Sequence, residues 1–280
     1  MAASEALSGV ELAREDIASA MLLSTEAGWN QTEEDWEHFI AHGRVHGLRD
    51  AEGRLVASAA ELPFDGPFGF ISMVLVTADY RRRGLATALV ERCIDGLQEG
   101  GRTPVLDATA AGAEVYRKQG FLPQFAFDRW EGVAGGAGAG APSSATGSGT
   151  LAGMVALDAN VAGAGRSALI SDFAARKDTR AVVSGAVDGY GLVRRGRRAW
   201  QAGPVLADSE AEALDLIRRL LDRVGGMLFI DVPAAWKGIG AWLSAQGFSI
   251  QRSFTRMAHQ RAQPFGDPRR LFAVAGPEFG

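Results

Sequence analysis

Cysteine is almost absent from this chain. Cys93 is the only one in 280 residues, which excludes an internal disulfide and a cysteine-based zinc site and suits a reducing compartment. Basic excess is missing too: 29 Lys and Arg face 33 Asp and Glu, a net charge of −4. Nucleic-acid-binding surfaces carry surplus positive charge, so no nucleic-acid partner is expected. No uncharged apolar run reaches the roughly 20 residues of a membrane span. The first residues, with Glu5, Glu11, Arg14, Glu15 and Asp16, lack the basic start and apolar run of a signal peptide. The expectation is a soluble cytoplasmic protein with no membrane partner. The composition that remains is ordinary for a globular protein, 47% hydrophobic and 22% charged. The length suggests two domains at about 150 residues each.

Residues 131–150 read EGVAGGAGAGAPSSATGSGT. This Gly/Ala/Ser-rich stretch has neither the volume nor the period to build a core, and it reads as a linker. The first half, 1–130, opens with an apolar stripe over 9–26 and a second helix from Thr32, with Asp35 completing a capping box and Gly43 beyond its end. Two strands follow, 45–49 and 54–62, around Asp50-Ala-Glu-Gly53; then come a buried strand, 68–77, a helix, 84–98, a strand from Pro104 and a helix over 112–119. The second half repeats the outline: helix 166–176, strands 179–187, 189–194 and 198–206, helix 209–224, strand 227–232, helix 235–246 and strand 248–258. Both halves end a helix on the same tripeptide, Gln119-Gly120-Phe121 and Gln246-Gly247-Phe248. The pattern predicts a layered α/β or α+β fold, duplicated.

The most informative segment is Leu75-Val-Thr-Ala-Asp-Tyr-Arg81-Arg-Arg-Gly84-Leu-Ala86-Thr87. It joins a buried strand to a helix through Arg81-x-x-Gly84-x-Ala86. A loop of this kind offers successive backbone amides at the positive end of a helix dipole, suited to a diphosphate. Gly84 permits close approach of a ligand, and Arg81, Arg82 and Arg83 add charge.

Residues 71–89 resemble the acetyl-CoA signature of the GNAT N-acetyltransferase superfamily, whose loop reads Q/R-x-x-G-x-G/A. Tyr116-Arg-Lys-Gln-Gly120-Phe121 is similar to that family's Y-x-x-x-G-F segment. The resemblance covers residues 10–130, and 151–280 look like a second, diverged unit. It implies two tandem GNAT-like domains, 1–130 and 151–280, each with a mixed, mostly antiparallel sheet flanked by helices. It also implies direct transfer of acetyl from acetyl-CoA to a primary amine of a small molecule; the alternative reading is a non-catalytic acetyl-CoA-binding sensor or scaffold. No metal is expected; a homodimer is the macromolecular arrangement considered.

On the same resemblance, Met73, Val74, Leu75 and Val76 run along the pantetheine arm, and Arg81, Arg82, Arg83, Gly84, Leu85, Ala86 and Thr87 hold the pyrophosphate. Tyr116 is the candidate general acid, with core packing as its rival role. The family's frequent Asn on the next strand is missing from Leu106-Asp107-Ala108-Thr109, which leaves Thr109 as a candidate polar contact. Glu61 and Asp107 are candidate bases, with Glu26 a weaker third; each also reads as a solvated or structural carboxylate. Trp29 and Asn30 are candidate substrate contacts, or a helix-packing loop, and Trp36 is expected in the core. In the second half, Gly203-Pro204-Val205-Leu206-Ala207-Asp208-Ser209 lacks the R-x-x-G-x-A pattern and places Asp208, Glu210 and Glu212 at the helix start. That half is therefore expected not to bind acetyl-CoA; it would wall the acceptor cleft or mediate dimerisation.

Three further patterns were weighed. His38 and His42 have metal-pair spacing on one helix but read as surface and boundary residues. Gly163-Ala-Gly165-Arg-Ser-Ala168 matches a dinucleotide fingerprint, which requires a strand before it; the short run Met154–Leu157 is the strand on offer. Arg194-Arg-Gly-Arg197-Arg198 reads as a solvated hairpin.

Overall fold

The hydrophobic periods carry over into the backbone with few exceptions. The computed structural model describes residues 7–136 and 148–280. The chain packs as two compact units, Met1–Pro63 with Phe68–Val105, and Phe64–Pro67 with Leu106–Gly280.

In the first unit, β1 (Ser8–Glu11), β2 (Arg44–Arg49), β3 (Leu55–Pro63) and β4 (Phe68–Val76) form an antiparallel meander. The start of β5 (Thr103–Thr109) pairs with β4 in parallel at Phe68↔Thr103, Gly69↔Pro104 and Phe70↔Val105. Helices α1 (Ile17–Glu26), α2 (Glu33–His42) and α3 (Leu85–Glu99) cover the sheet. The stripe on α3 is the predicted one: Leu89, Cys93 and Leu97 are buried, one turn apart. Trp36, Phe39, Phe70 and Ile71 fill the core. Thr32 caps α2 as read: its hydroxyl accepts from the Asp35 amide at 3.4 Å, and the Asp35 carboxylate accepts from the Thr32 amide at 3.0 Å. The expected helix over 9–26 begins only at Ile17. Residues 8–11 pair with β2 instead, because the extended run places Leu12 in the core while its backbone bonds are met across the ladder.

In the second unit, α4 (Ala110–Lys118) follows β5, and β6 (Phe121–Gly135) is the long spine. Then come α5 (Ser148–Ala162), α6 (Ser167–Ala175), β7 (Arg180–Ser184), β8 (Gly189–Arg195), β9 (Trp200–Leu206), α7 (Glu210–Leu221), β10 (Gly225–Pro233), α8 (Lys237–Ala245), β11 (Ser249–His259) and β12 (Leu271–Ala273). The strand order is β11-β6-β10-β9-β8-β7, with β12 on β9. Leu216, Ile217, Leu220, Ile230, Leu243 and Phe272 form the core.

The division of the chain differs from the expected one. Residues 131–135 belong to β6, paired with β10 from Glu131↔Phe229 to Gly135↔Gly225, and 148–150 open α5. The ladder bonds are made by backbone groups, so Gly132, Ala134 and Gly135 can extend the strand although Gly and Ala disfavour it intrinsically. Of the expected linker, 137–147 lie outside the described residues. Met154–Leu157 is helix, not strand: Met154, Leu157, Asp158 and Val161 are buried at helical spacing. The dinucleotide fingerprint therefore lacks its strand. Among the described residues, no helix is long and apolar enough to cross a membrane.

Candidate active site

The loop between β4 and α3 is built from both sides. Along β4 the ladder with β3 slips from Ala60↔Ser72 to Ser58↔Leu75, so Met73 and Val74 bulge against one partner residue. Met73 sits at φ +52°, a conformation that costs a residue with a side chain on the order of 1 kcal/mol. The Ser58 hydroxyl donates to the Met73 carbonyl at 2.8 Å and holds the bulge. The parallel ladder with β5 stops at Phe70, so among the described residues the opposite edge of β4 has no ladder partner from Ile71 to Val76.

A short turn, Ala78–Tyr80, leads to Arg81, and then Arg82 and Gly84 adopt left-handed conformations, φ +62° and +80°. Alternation of this kind turns successive amides toward one side, the geometry of an anion nest. Gly84 is the N-cap of α3 and offers no capping side chain. A Cβ at Gly84 would meet nothing within 4 Å, so the space above the helix start is open. Arg81, Arg82 and Arg83 are exposed around it. Arg81 donates to the Val76 carbonyl at 3.0 Å, and Arg83 donates to the Asp79 carbonyl at 2.9 Å while lying 4.6 Å from the Tyr80 ring centre. Leu85, Ala86 and Thr87 form the first turn, half buried.

Two supports of this loop carried no signal in the sequence motif. Glu26, at the end of α1, accepts from the Ala78 amide at 2.7 Å and lies 3.9 Å from Arg81. Tyr80 is buried, with its hydroxyl 3.5 Å from the Asp50 carboxylate, which also receives Arg54 at 3.1 Å. Burial opposes the Asp50 charge, but hydrogen bonds from the Arg54 amide and guanidinium outweigh it and hold the carboxyl below its usual range.

The remaining candidates are placed unevenly. Trp29 is half buried and Asn30 buried between α1 and α2, after the left-handed Gly28. Glu61 is buried and turned onto α3. One carboxylate oxygen receives Arg44 and His46, each at 3.3 Å, and a Cβ at Gly96 would collide with the carboxylate. Gly96 lies 12 residues along α3 from Gly84, about 18 Å at 1.5 Å per residue, so the structure does not bring Glu61 to the loop. Beside it, burial pushes the Cys93 thiol far above its ordinary range, and the Glu61 charge adds to the shift.

In the second unit, Tyr116 is half buried on α4, edge-on to Phe121 at 6.0 Å, with Gly112 one turn earlier making room for its ring. Thr109 is the N-cap of α4, its hydroxyl accepting from the Gly112 amide at 3.3 Å, which engages the oxygen expected to face a cofactor. Asp107 is buried and bidentate to Arg256 at 2.9 and 2.7 Å. Burial pushes its carboxyl up while Arg256 pulls the other way. Both oxygens are occupied in a buried ion pair, the arrangement of a structural carboxylate. His38 is buried, not at the surface, with its ring 4.7 Å from that of His42, and the described residues contain no group of three ligands for a metal. Arg194 is also buried rather than solvated, stacked 4.1 Å from the Phe173 ring centre.

The equivalent junction in the second repeat is short and closed. Only residues 207–209 separate β9 from α7, against 77–84 between β4 and α3. Ser209 caps α7 by accepting from the Glu212 amide at 3.3 Å, and Glu212 accepts from the Asp208 amide at 2.9 Å. Glu210 and Glu212 fill the first turn.

Comparison with known proteins places both halves in one family. A model described as "Acetyltransferase (GNAT) family" matches residues 13–121, and one described as "Acetyltransferase (GNAT) domain" matches 154–273. The chain belongs to the GNAT acetyltransferases. A Bacillus subtilis (strain 168) relative, named Uncharacterized N-acetyltransferase YitH, is 24% identical over 280 residues, spanning 97% of this chain and 98% of the relative. A crystal structure of a putative acetyltransferase from Pyrococcus horikoshii shares the fold with a TM-score of 0.81 at 17% identity, covering 98% of this chain and 96% of that one. A tandem GNAT protein from the clavulanic acid biosynthesis pathway superposes with a TM-score of 0.59 at 17% identity, covering 90% and 98%. The tandem GNAT organisation read from the repeated Gln-Gly-Phe holds. Both of its glycines are left-handed helix stops, Gly120 at φ +86° and Gly247 at φ +84°.

Proposed function

We propose that this GNAT protein is an acetyl-CoA-dependent N-acetyltransferase acting on a primary amine of a small molecule, with its cofactor site in the first repeat. The observation that carries the reading is the uncapped, arginine-flanked start of α3 after the bulged strand β4. The chemistry of these donors fits a diphosphate: amides and a helix dipole meet there, three exposed arginines flank the loop, and Gly84 leaves the approach clear. When bound, acetyl-CoA supplies an activated acyl group whose thiolate is a good leaving group.

The residues of the chain then have distinct tasks. The loop Arg81–Thr87 binds the diphosphate. The free edge of β4, Met73 to Val76, offers backbone groups to the pantetheine arm and an amide to polarise the thioester carbonyl; one such donor is worth about 10²–10³ in rate. The amine nitrogen bonds to the carbonyl carbon, the C–S bond breaks, and Tyr116 gives its proton to the departing sulfur. The acceptor attacks as the free amine, its ammonium having lost one proton to water, and the extra proton on the bonded nitrogen passes through water back to the Tyr116 oxygen, which leaves a neutral amide and a thiol. The reading assigns no base role to Glu61 or Asp107, whose carboxylates are engaged elsewhere. Trp29 and Asn30 contact the acceptor.

The test is calorimetric titration with acetyl-CoA followed by thiol release over a panel of amino acids, polyamines, aminoglycosides and peptide N-termini. Saturable binding and acceptor-dependent thiol release are expected. Absence of binding to the folded chain overturns the reading.

A further inference from the structure

The second repeat has a slot of the same design as the first, and the chain itself fills it. Strand β9 pairs in parallel with β10 at Leu228↔Trp200, Phe229↔Gln201 and Ile230↔Ala202, a three-pair ladder like that of β4 with β5. Just beyond, the ladder with β8 slips from Val193↔Ala202 to Gly191↔Val205, so Gly203 and Pro204 bulge as Met73 and Val74 do. In the first repeat, among the described residues, the strand edge past this point has no ladder partner. In the second, β12 lies on it, Leu271 opposite Leu206 and Ala273 opposite Val205. The Val274 amide reaches across to the Asp231 carbonyl of β10 at 3.0 Å, and the Ala207 amide donates to the Arg270 carbonyl at 3.2 Å.

The fit is specific. Gly203 stands at φ +138°, and a Cβ there would collide with the Val274 carbonyl. Phe272, Val274 and Phe279 are fully buried; Phe279 packs edge-on to Phe173 at 5.1 Å. Arg166, buried and bidentate to Asp158, donates to the carbonyls of Phe279 and Gly280 at 3.1 and 2.6 Å. A pantetheine arm carries two amides, so a peptide strand satisfies the same kind of strand edge.

We propose that Leu271–Gly280 is a built-in occupant of the second repeat's cofactor slot, a peptide strand standing where the arm of a cofactor would lie. The chain then holds one cofactor, and its second repeat is a closed GNAT fold. Calling the slot a cofactor slot rests on the family assignment and the function proposed above; the occupancy does not.

Hydrogen exchange of the full chain, with and without acetyl-CoA, tests the occupancy, and native mass spectrometry counts the cofactor. The amides of Ala207 and Val274 should exchange at least 10³-fold slower than in an unfolded chain, whether or not acetyl-CoA is present. Wild type should carry one acetyl-CoA and Gly84→Glu none. Phe279→Ala should speed exchange at 271–275 by tenfold or more relative to the β7–β8 hairpin. Amides of 271–275 exchanging at unprotected rates in the folded chain overturn the proposal, as does a second acetyl-CoA on the wild-type chain; one acetyl-CoA retained by Gly84→Glu overturns the first-repeat site of the proposed function instead. A wild-type chain that binds no acetyl-CoA but protects these amides sinks the proposed function and leaves the occupancy standing.

Discussion

Two helix starts in this chain occupy the same place in the repeat and are opposites in kind. At α3 the N-cap is a left-handed glycine without a side chain, the loop before it is long, and its exposed side chains are arginines. At α7 the N-cap is Ser209, the loop is three residues, and Glu212 bonds back to the Asp208 amide. A helix start leaves amides that need acceptors. One repeat satisfies them internally and gains stability; the other leaves them without a capping side chain. The same division appears at the next helix. Tyr116 stands four residues before Gly120, whereas the residue four before Gly247 is Leu243, fully buried and without a proton to give.

Substitutions can break or sharpen this contrast. The largest effect is expected from Gly84→Glu, which puts a carboxylate into the open nest: acetyl-CoA affinity should vanish in calorimetry while circular dichroism stays native. Unchanged affinity would put the diphosphate elsewhere. Next, Tyr116→Phe should lower kcat by about 10²–10⁴ with the acetyl-CoA Kd unchanged, measured by thiol release with an acceptor from the panel. Equal activity returns Tyr116 to packing against Phe121. Ser209→Ala removes the cap on the closed start and should cost about 1 kcal/mol in urea unfolding without creating a second acetyl-CoA site. The smallest signal is expected from Cys93. Its buried, raised thiol should not react with a disulfide reagent in the folded chain at pH 8, and one thiol per chain should appear on denaturation. A fast native reaction would show that the core under α3 is open.

Much of the first repeat was legible because its signals are local. The capping box at Thr32, the four-residue stripe on α3 and the Arg-x-x-Gly-x-Ala loop each lie within one element, and each predicts a backbone feature directly. The surroundings of Glu61 and Asp107 were not legible for a different reason. What a carboxylate does depends on its partner, and Arg256 is 149 residues from Asp107 in sequence. Helix α5 was missed because Gly and Ala blur its period; its burial shows only at Met154, Leu157, Asp158 and Val161. Strand β12 is three residues long, too short to show a period, and its position is set by the edge it covers. The left-handed turns at Met73 and Arg82 carry no residue preference that a sequence reveals.

The bond from Glu26 to the Ala78 amide ties the end of α1, just before Gly28, Trp29 and Asn30, to the arginine loop. An acceptor that shifts this connection pulls on the diphosphate grip, and the grip pulls back by the same factor. Under the proposed function each ligand should therefore raise the other's affinity by one common factor, and Glu26→Ala should bring that factor toward one in calorimetry while the chain keeps its fold.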